Sequence, residues 1–196
     1  MRKVIFMIDT SLDGFIGETD PEVEPVEERD GPMESEEEWE DLNDLLSQVD
    51  TVLLGRTTYQ LFAEFWPTAA TDPERSKNEV DFAHWIEKTP KIVFSKTLET
   101  VEWSNTRLIK EQIAEEITNL KQQPGKHLLL FGGPTIAQTF MQLGLIDEYR
   151  LRIHPAVSGH GKLLWRDIKD SIPLKLIATR AFSSGTILLS YQSAWE

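Results

Sequence analysis

Along this chain, short apolar runs alternate with longer stretches in which apolar residues recur every third or fourth position. The runs at 3–9, 51–54, 91–94, 106–109, 127–131, 148–157, 174–182 and 186–192 have the length and composition of strands. The stretches near 35–49, 57–65, 76–88, 111–122 and 134–143 carry the helical period. The 35–49 stretch opens with Ser35 and Glu38 at the spacing of a capping box, then aligns Trp39, Leu42, Leu45, Leu46 and Val49 on one face. Ile113, Ile117 and Leu120 repeat the pattern over 111–122. Strands and helices alternating in this way predict a largely parallel sheet with helices on both faces. After Leu145 the rhythm changes. Three strand-like runs follow without a helical pattern between them, and Ser183-Ser184-Gly185 has the composition of a tight turn. The sheet is therefore expected to end in an antiparallel hairpin. No repeat or linker divides the chain, so residues 1–196 read as one α/β domain.

The net charge of −13 alters this picture only locally. Residues 18–41 hold thirteen acids against the single base Arg29, so that segment carries −12 and the rest of the chain −1. No basic face is left for a phosphate backbone, which argues against nucleic-acid binding. The stretch 17–34, with Pro21, Pro25 and Pro32, reads as an acidic loop insertion. No apolar run reaches the roughly 18 residues of a membrane helix, and no signal peptide is visible. Zero cysteines exclude disulfides and thiolate metal sites, which fits a cytoplasmic protein. His84, His127, His154 and His160 form no pair at ligand spacing on one element, so no metal site is expected.

Two glycine-centred turns carry the candidate chemistry. Val52-Leu53-Leu54 runs into Gly55-Arg56-Thr57-Thr58, and Leu128-Leu129-Leu130-Phe131 runs into Gly132-Gly133-Pro134-Thr135-Ile136. Each joins a strand to a helix. A helix N-terminus offers free N–H groups and partial positive charge, so such turns suit phosphates. An ordinary strand-to-helix connection would also need the glycines. Two such turns together point to a ligand with more than one phosphate, such as a dinucleotide.

Five motifs appear in order: Ser11-Leu12-Asp13-Gly14-Phe15-Ile16-Gly17, Leu54-Gly55-Arg56-Thr57-Thr58-Tyr59, Ile92-Val93-Phe94-Ser95-Lys96, Phe131-Gly132-Gly133-Pro134-Thr135-Ile136, and Pro155-Ala156-Val157-Ser158-Gly159-His160-Gly161. Over nearly its whole length the chain resembles the dihydrofolate reductase-like superfamily. Within it, the chain is most similar to the reductase domain of the riboflavin-pathway deaminase-reductase and its stand-alone relatives. The resemblance implies a three-layer sandwich and an NADPH cofactor. It places Gly55, Arg56, Thr57 and Thr58 on the cofactor's phosphates, and Ser95 and Lys96 beside the 2′-phosphate ribose. Gly132 and Gly133, joined by a cis peptide, would sit with Thr135 and Ile136 over the pyrophosphate. Ile8, Asp9, Ile16 and Gly17 would line the nicotinamide. The G-x-G-x-x-G fingerprint is absent, as this mode of binding requires. The riboflavin-type relatives also imply a homodimer.

The reacting groups are less defined. Where folate reductases carry a buried acid on the first helix, the matching position here is Trp39, flanked by Glu38 and Glu40. Trp39 reads as pocket cap or core, and Glu38 as the partner of Ser35 in the capping box. Asp9, at the end of the first strand, is the other candidate acid. Asp13 reads as a turn-shaping residue. The expected activity is hydride transfer from NADPH to a small heterocyclic substrate, pterin-like or ribosylamino-pyrimidine-like. The alternative is a non-catalytic nucleotide-binding or interaction module on the same fold. The acids of 17–34 would disfavour an anionic substrate at the mouth, pointing to a neutral or cationic one.

Overall fold

The computed structural model describes residues 1–16, 35–166, 168 and 170–194. Gly17 and the acidic segment 17–34 lie outside the described residues. The elements are β1 (Val4–Thr10), β2 (Phe15–Ile16), α1 (Glu36–Ser47), β3 (Val49–Gly55), α2 (Arg56–Ala69), α3 (Lys77–Lys88), β4 (Lys91–Phe94), β5 (Thr106–Ile109), α4 (Ile113–Gln122), β6 (His127–Phe131), α5 (Pro134–Gln142), β7 (Glu148–Ile153), β8 (Lys162–Leu163), β9 (Leu174–Ala181) and β10 (Ile187–Ser193). The main sheet has the order β5-β4-β3-β6-β1-β7-β10-β9. Its first six strands run parallel, and β10 and β9 close it as an antiparallel hairpin. This is the mostly parallel sheet with a terminal hairpin that the sequence pattern predicts.

The two-residue period of the strands divides the core between the faces of the sheet. Val4, Phe6, Leu53, Leu128 and Leu130 pack toward α4 and α5, with Ile117, Phe140 and Tyr149. Ile5, Met7, Val52, Leu54 and Leu129 pack toward α1, α2 and α3, with Leu42, Leu45, Trp66, Phe82 and Ile86. Central strands buried on both faces need unbroken apolar runs, which is why β1, β3 and β6 read as they do.

Two expectations are corrected and one feature is new. The run 148–157 stops as a strand at Ile153, because Pro155 has no N–H for a ladder. The helix expected over 57–65 continues to Ala69, with Pro67 in its last turn. There the ring lies near the helix end, and burial of Trp66 against Phe62 and Phe82 holds the turn. A two-stranded ribbon, β2 with β8, was not expected, since two-residue strands carry no period. Asp13 steadies the ribbon's approach. Its carboxylate accepts from the Ser11 hydroxyl at 2.6 Å and from the N–H groups of Ser158 and Gly159 at 3.0 and 2.8 Å. These donors hold its pKa down to about 2.

Helix α1 is fastened to the hairpin side of the sheet. Asp41 pairs with Arg150 at 2.6 Å and with Arg180 at 3.7 Å, and Glu37 accepts from the Ser183 N–H at 3.0 Å. Ser35 and Glu38 form the expected capping box.

Lys91 is the buried cation of the α3–β4 connection. Its ammonium donates to the carbonyls of Ile86, Thr89 and Glu87 at 2.7, 3.0 and 3.3 Å, and sits 4.3 Å above the Trp103 ring. It thereby satisfies carbonyls that the end of α3 leaves free. Burial pushes its pKa from 10.5 down to about 8, against the opposing pull of Glu87. Between those values the unfolded chain binds more protons than the folded one, so stability from this group rises with pH. Lys91→Met should remove that rise. Denaturant midpoints measured at pH 7.5 and 10 are expected to show wild type gaining on the variant at the higher pH, and parallel midpoints would refute it.

Candidate active site

A cleft of about 870 Å³ runs along the C-terminal ends of the parallel strands, the edge where open α/β sheets place their ligands. Its centre is built by strand register. In the β3–β6 pair, Leu54 stands opposite Phe131, so the next residues, Gly55 and Gly132, lie side by side. Ile136, one turn into α5, fills the space in front of both. A Cβ at Gly55 would meet Ile136 Cβ and Cγ2 at 3.0 Å, and one at Gly132 would meet Cγ2 at 2.3 Å. A Cβ at Gly133, by contrast, would enter open space.

Gly55 and Gly133 are the N-caps of α2 and α5, and neither helix has a side-chain cap. Both N-termini therefore keep first-turn N–H groups unmet by a capping side chain. The peptide between Gly132 and Gly133 is trans: the described residues contain no cis bond. The expectation of a cis link is thus overturned. The approach of Ile136 requires glycine at 132, whereas neither packing nor backbone angle requires it at 133, where a Cβ would enter open space.

At one end of the cleft, Arg56 Nη1 donates to Thr97 Oγ1 at 3.1 Å. Ser95 Oγ accepts from the N–H groups of Thr97 and Leu98 at 3.2 and 3.1 Å, closing a tight turn after β4. Because β5 runs parallel beside β4, with Phe94 opposite Ile109, Lys110 emerges next to Ser95 and Lys96. The middle is apolar, lined by Trp39, Leu42, Leu61, Phe62, Trp66, Phe82 and Phe131. Trp39 is buried, packed at 6.4 Å from Phe82, and belongs to core and cleft wall at once. Glu38 completes the capping box and is not among the cleft residues.

Asp9 lies at the other end with Ile8 and Ile16. Its Oδ2 accepts from Arg152 Nη2 at 2.6 Å, and its Oδ1 lies 2.8 Å from His154 Nε2. His154 Nδ1 in turn lies 3.4 Å from Thr186 Oγ1. The cleft thus gathers Ile8, Asp9, Ile16, Trp39, Gly55, Arg56, Thr57, Thr58, Ser95, Lys96, Gly132, Gly133, Thr135 and Ile136, every candidate except Gly17. Sequence reasoning missed Thr97, Lys110, Arg152 and Lys162, which line the cleft, and His154 behind Asp9. Among the described residues that line the cleft, the charged ones are Arg56, Lys96, Lys110, Arg152 and Lys162 together with Asp9.

A parallel sheet with a terminal hairpin, carrying a cleft across two glycine-led helix starts, defines a dihydrofolate reductase-like protein. Within that class, residues 2–188 match the RibD C-terminal domain family, and the chain belongs to it. The family gives it a reductase-like role. The chain is 37% identical over 190 residues to the uncharacterized protein YyaP of Bacillus subtilis (strain 168), covering 97% of this chain and 94% of that one. Two solved structures share the fold. One is a diaminohydroxyphosphoribosylaminopyrimidine deaminase/5-amino-6-(5-phosphoribosylamino)uracil reductase from Thermotoga maritima, at TM-score 0.64 and 15% identity, matched over 98% of this chain and 57% of that one. The other is a dihydrofolate reductase from Enterococcus faecalis complexed with NADP(H), at TM-score 0.60 and 13% identity, over 98% and 96%.

The two glycines of the second turn should respond differently to a methyl group. Gly132→Ala is expected to destabilise the fold by about 1–3 kcal/mol through overpacking against Ile136. Combining it with Ile136→Ala should recover part of that loss. Gly133→Ala, at φ −68° and ψ −179°, should leave stability near wild type. Equal losses at the two positions in chemical denaturation would contradict this geometry.

Proposed function

We propose that this chain is an NADPH-dependent reductase that delivers a hydride to a pterin-like or ribosylamino-pyrimidine-like heterocycle. The observation that carries the reading is the meeting of two uncapped helix N-termini with five cationic side chains in one cleft of a chain whose net charge is −13. The relatives support it: one structural neighbour is named as a uracil-type reductase and another is complexed with NADP(H).

The residues present fit the cofactor. Gly55, Thr57, Thr58, Gly133 and Thr135 hold the pyrophosphate at the starts of α2 and α5, where open space at Gly133 admits it. Arg56, Ser95, Lys96, Thr97 and Lys110 take the 2′-phosphate, the group that distinguishes NADPH from NADH. NADPH supplies the hydride when bound. Ile8 and Ile16 flank the ring end and exclude water, with Trp39 in the apolar wall. Asp9 and His154, 2.8 Å apart, form the acid–base pair at that end through which a proton can reach a substrate nitrogen.

Tryptophan fluorescence titration should show NADPH binding tighter than NADH. Lys96→Ala and Lys110→Ala should each weaken NADPH about ten- to a hundredfold, since a charge-assisted hydrogen bond is worth roughly 1.5–3 kcal/mol, and should leave NADH nearly unchanged. Gly133→Val should abolish NADPH binding in a folded protein. Equal losses for both cofactors would remove the 2′-phosphate assignment. Tight NADPH binding without oxidation by any heterocycle would favour the binding-module reading.

The proposal includes a homodimer. β9 is an edge strand, exposed along most of its length, with Leu176 and Ile177 about half exposed. Such edges are normally paired or protected. Light scattering at micromolar concentration should give twice the mass of 22.5 kDa, and Ile177→Lys should return it to the monomer. A monomeric wild type would overturn this part.

A further inference from the structure

Helix α1 meets its surroundings differently on its two flanks. Leu42 and Leu45 belong to the stripe that packs on the sheet. Trp39 stands on one flank of that stripe, where it is buried, lies 6.4 Å from Phe82 and lines the cleft. Glu37 and Asp41, one turn apart, stand on the other flank, each roughly 160° round the helix axis from Trp39. Asp41 is not among the residues that line the cleft.

The polar contacts of that second flank lead to β7 and the terminal hairpin. Asp41 Oδ2 accepts from Arg150 Nη2 at 2.6 Å, its Oδ1 lies 3.7 Å from Arg180 Nη1, and Glu37 accepts from the Ser183 N–H at 3.0 Å. Asp41 and Arg150 are 13% and 16% exposed at their side chains, so the pair is sheltered from the screening that weakens a surface ion pair. Arg150 stands opposite Met7 in the register of β7 and β1, and Met7 lines the cleft. The cation is thus rooted in the strand next to the cleft floor.

Apolar packing has no preferred direction, so the Leu42 and Leu45 stripe holds α1 on the sheet but resists a roll about the helix axis only weakly. A charge-assisted hydrogen bond is short and directional. A roll that breaks the Asp41–Arg150 bond on one flank moves Trp39 on the other. We propose that Asp41 is a positioning residue: through Arg150 it sets the roll of α1, and with it the place of Trp39 in the cleft wall. The proposal rests on the reductase reading only for what occupies the cleft, because the place of Trp39 can be read without a ligand.

Trp39 is one of six tryptophans, so its emission is taken as the difference between each protein and the same protein carrying Trp39→Phe. In acrylamide quenching this difference should be protected in wild type and severalfold more quenchable in Asp41→Asn and in Arg150→Met. The double variant should be no worse than either single, since both remove the same bond. Arg2→Met breaks the ion pair with Asp50 at the N-terminal ends of the strands, and should leave the Trp39 signal as in wild type even where it lowers stability. By calorimetry, NADPH and NADH should both bind Asp41→Asn about tenfold more weakly, by the same factor, since Trp39 lies away from the 2′-phosphate end. Should Arg150→Met fail to fold, the near-isosteric Asp41→Asn decides. Unchanged Trp39 quenching in Asp41→Asn, additive effects in the double variant, an equal rise in Arg2→Met, or a loss confined to NADPH overturns the proposal. A wild type that binds neither nucleotide, with the Trp39 change as expected, keeps the clamp and overturns the cofactor reading instead.

Discussion

The side chain of Ile136 occupies the volume that Cβ atoms at Gly55 and Gly132 would take, and the β3–β6 register sets those glycines side by side. This one contact fixes how closely the starts of α2 and α5 approach each other. With it in place, two sets of free N–H groups face a common cleft. Without either glycine, α5 would have to lift away from the sheet, and the shared anion-binding surface would separate into two unconnected helix ends. The packing of an aliphatic side chain thus determines the electrostatics of the site.

Charge is sorted along the same axis. The chain is acidic as a whole, yet among the described residues the charged ones lining the cleft are five cations and one carboxylate. At the β4–β5 end Arg56, Lys96 and Lys110 stand just past the ends of β3, β4 and β5, which suits phosphate. At the β1–β7 end the cation Arg152 is buried and tied to Asp9. The apolar band from Trp39 to Phe131 separates these poles. Low-dielectric walls strengthen both, because little water remains to screen them.

Much of this was legible in the sequence because it is local. Apolar runs gave β1, β3 and β6, Ser35 and Glu38 gave the start of α1, and the glycine turns gave the centre of the cleft. Residues that enter the site only through strand pairing were not legible. Arg152 lies in Glu148-Tyr149-Arg150-Leu151-Arg152, where alternation does not tell which arginine meets Asp9. The β1–β7 register decides it, sending Arg152 to Asp9 while Arg150 pairs with Asp41. Lys110 is brought beside Lys96 by the β4–β5 register in the same way. His154 looked like an isolated histidine until the end of β7 met the end of β1. The cis peptide was expected from resemblance alone, and packing against Ile136 explains Gly132 without it.

Ile16 and Ser35 mark where the chain leaves and rejoins the described fold. Each is independently clamped: the first by the β2–β8 ribbon and the Asp13 hydrogen bonds, the second by its capping box and the ion cluster of α1. These anchors are made by residues outside 17–34, so a change in the length of that stretch leaves those contacts in place. Each doubling of a loop costs only about 0.6 kcal/mol in closure entropy. Ile16 and Trp39 both line the cleft, so the two anchors also hold two parts of its wall. The cleft wall on either side of that stretch is therefore fixed twice over, by contacts that each side makes for itself.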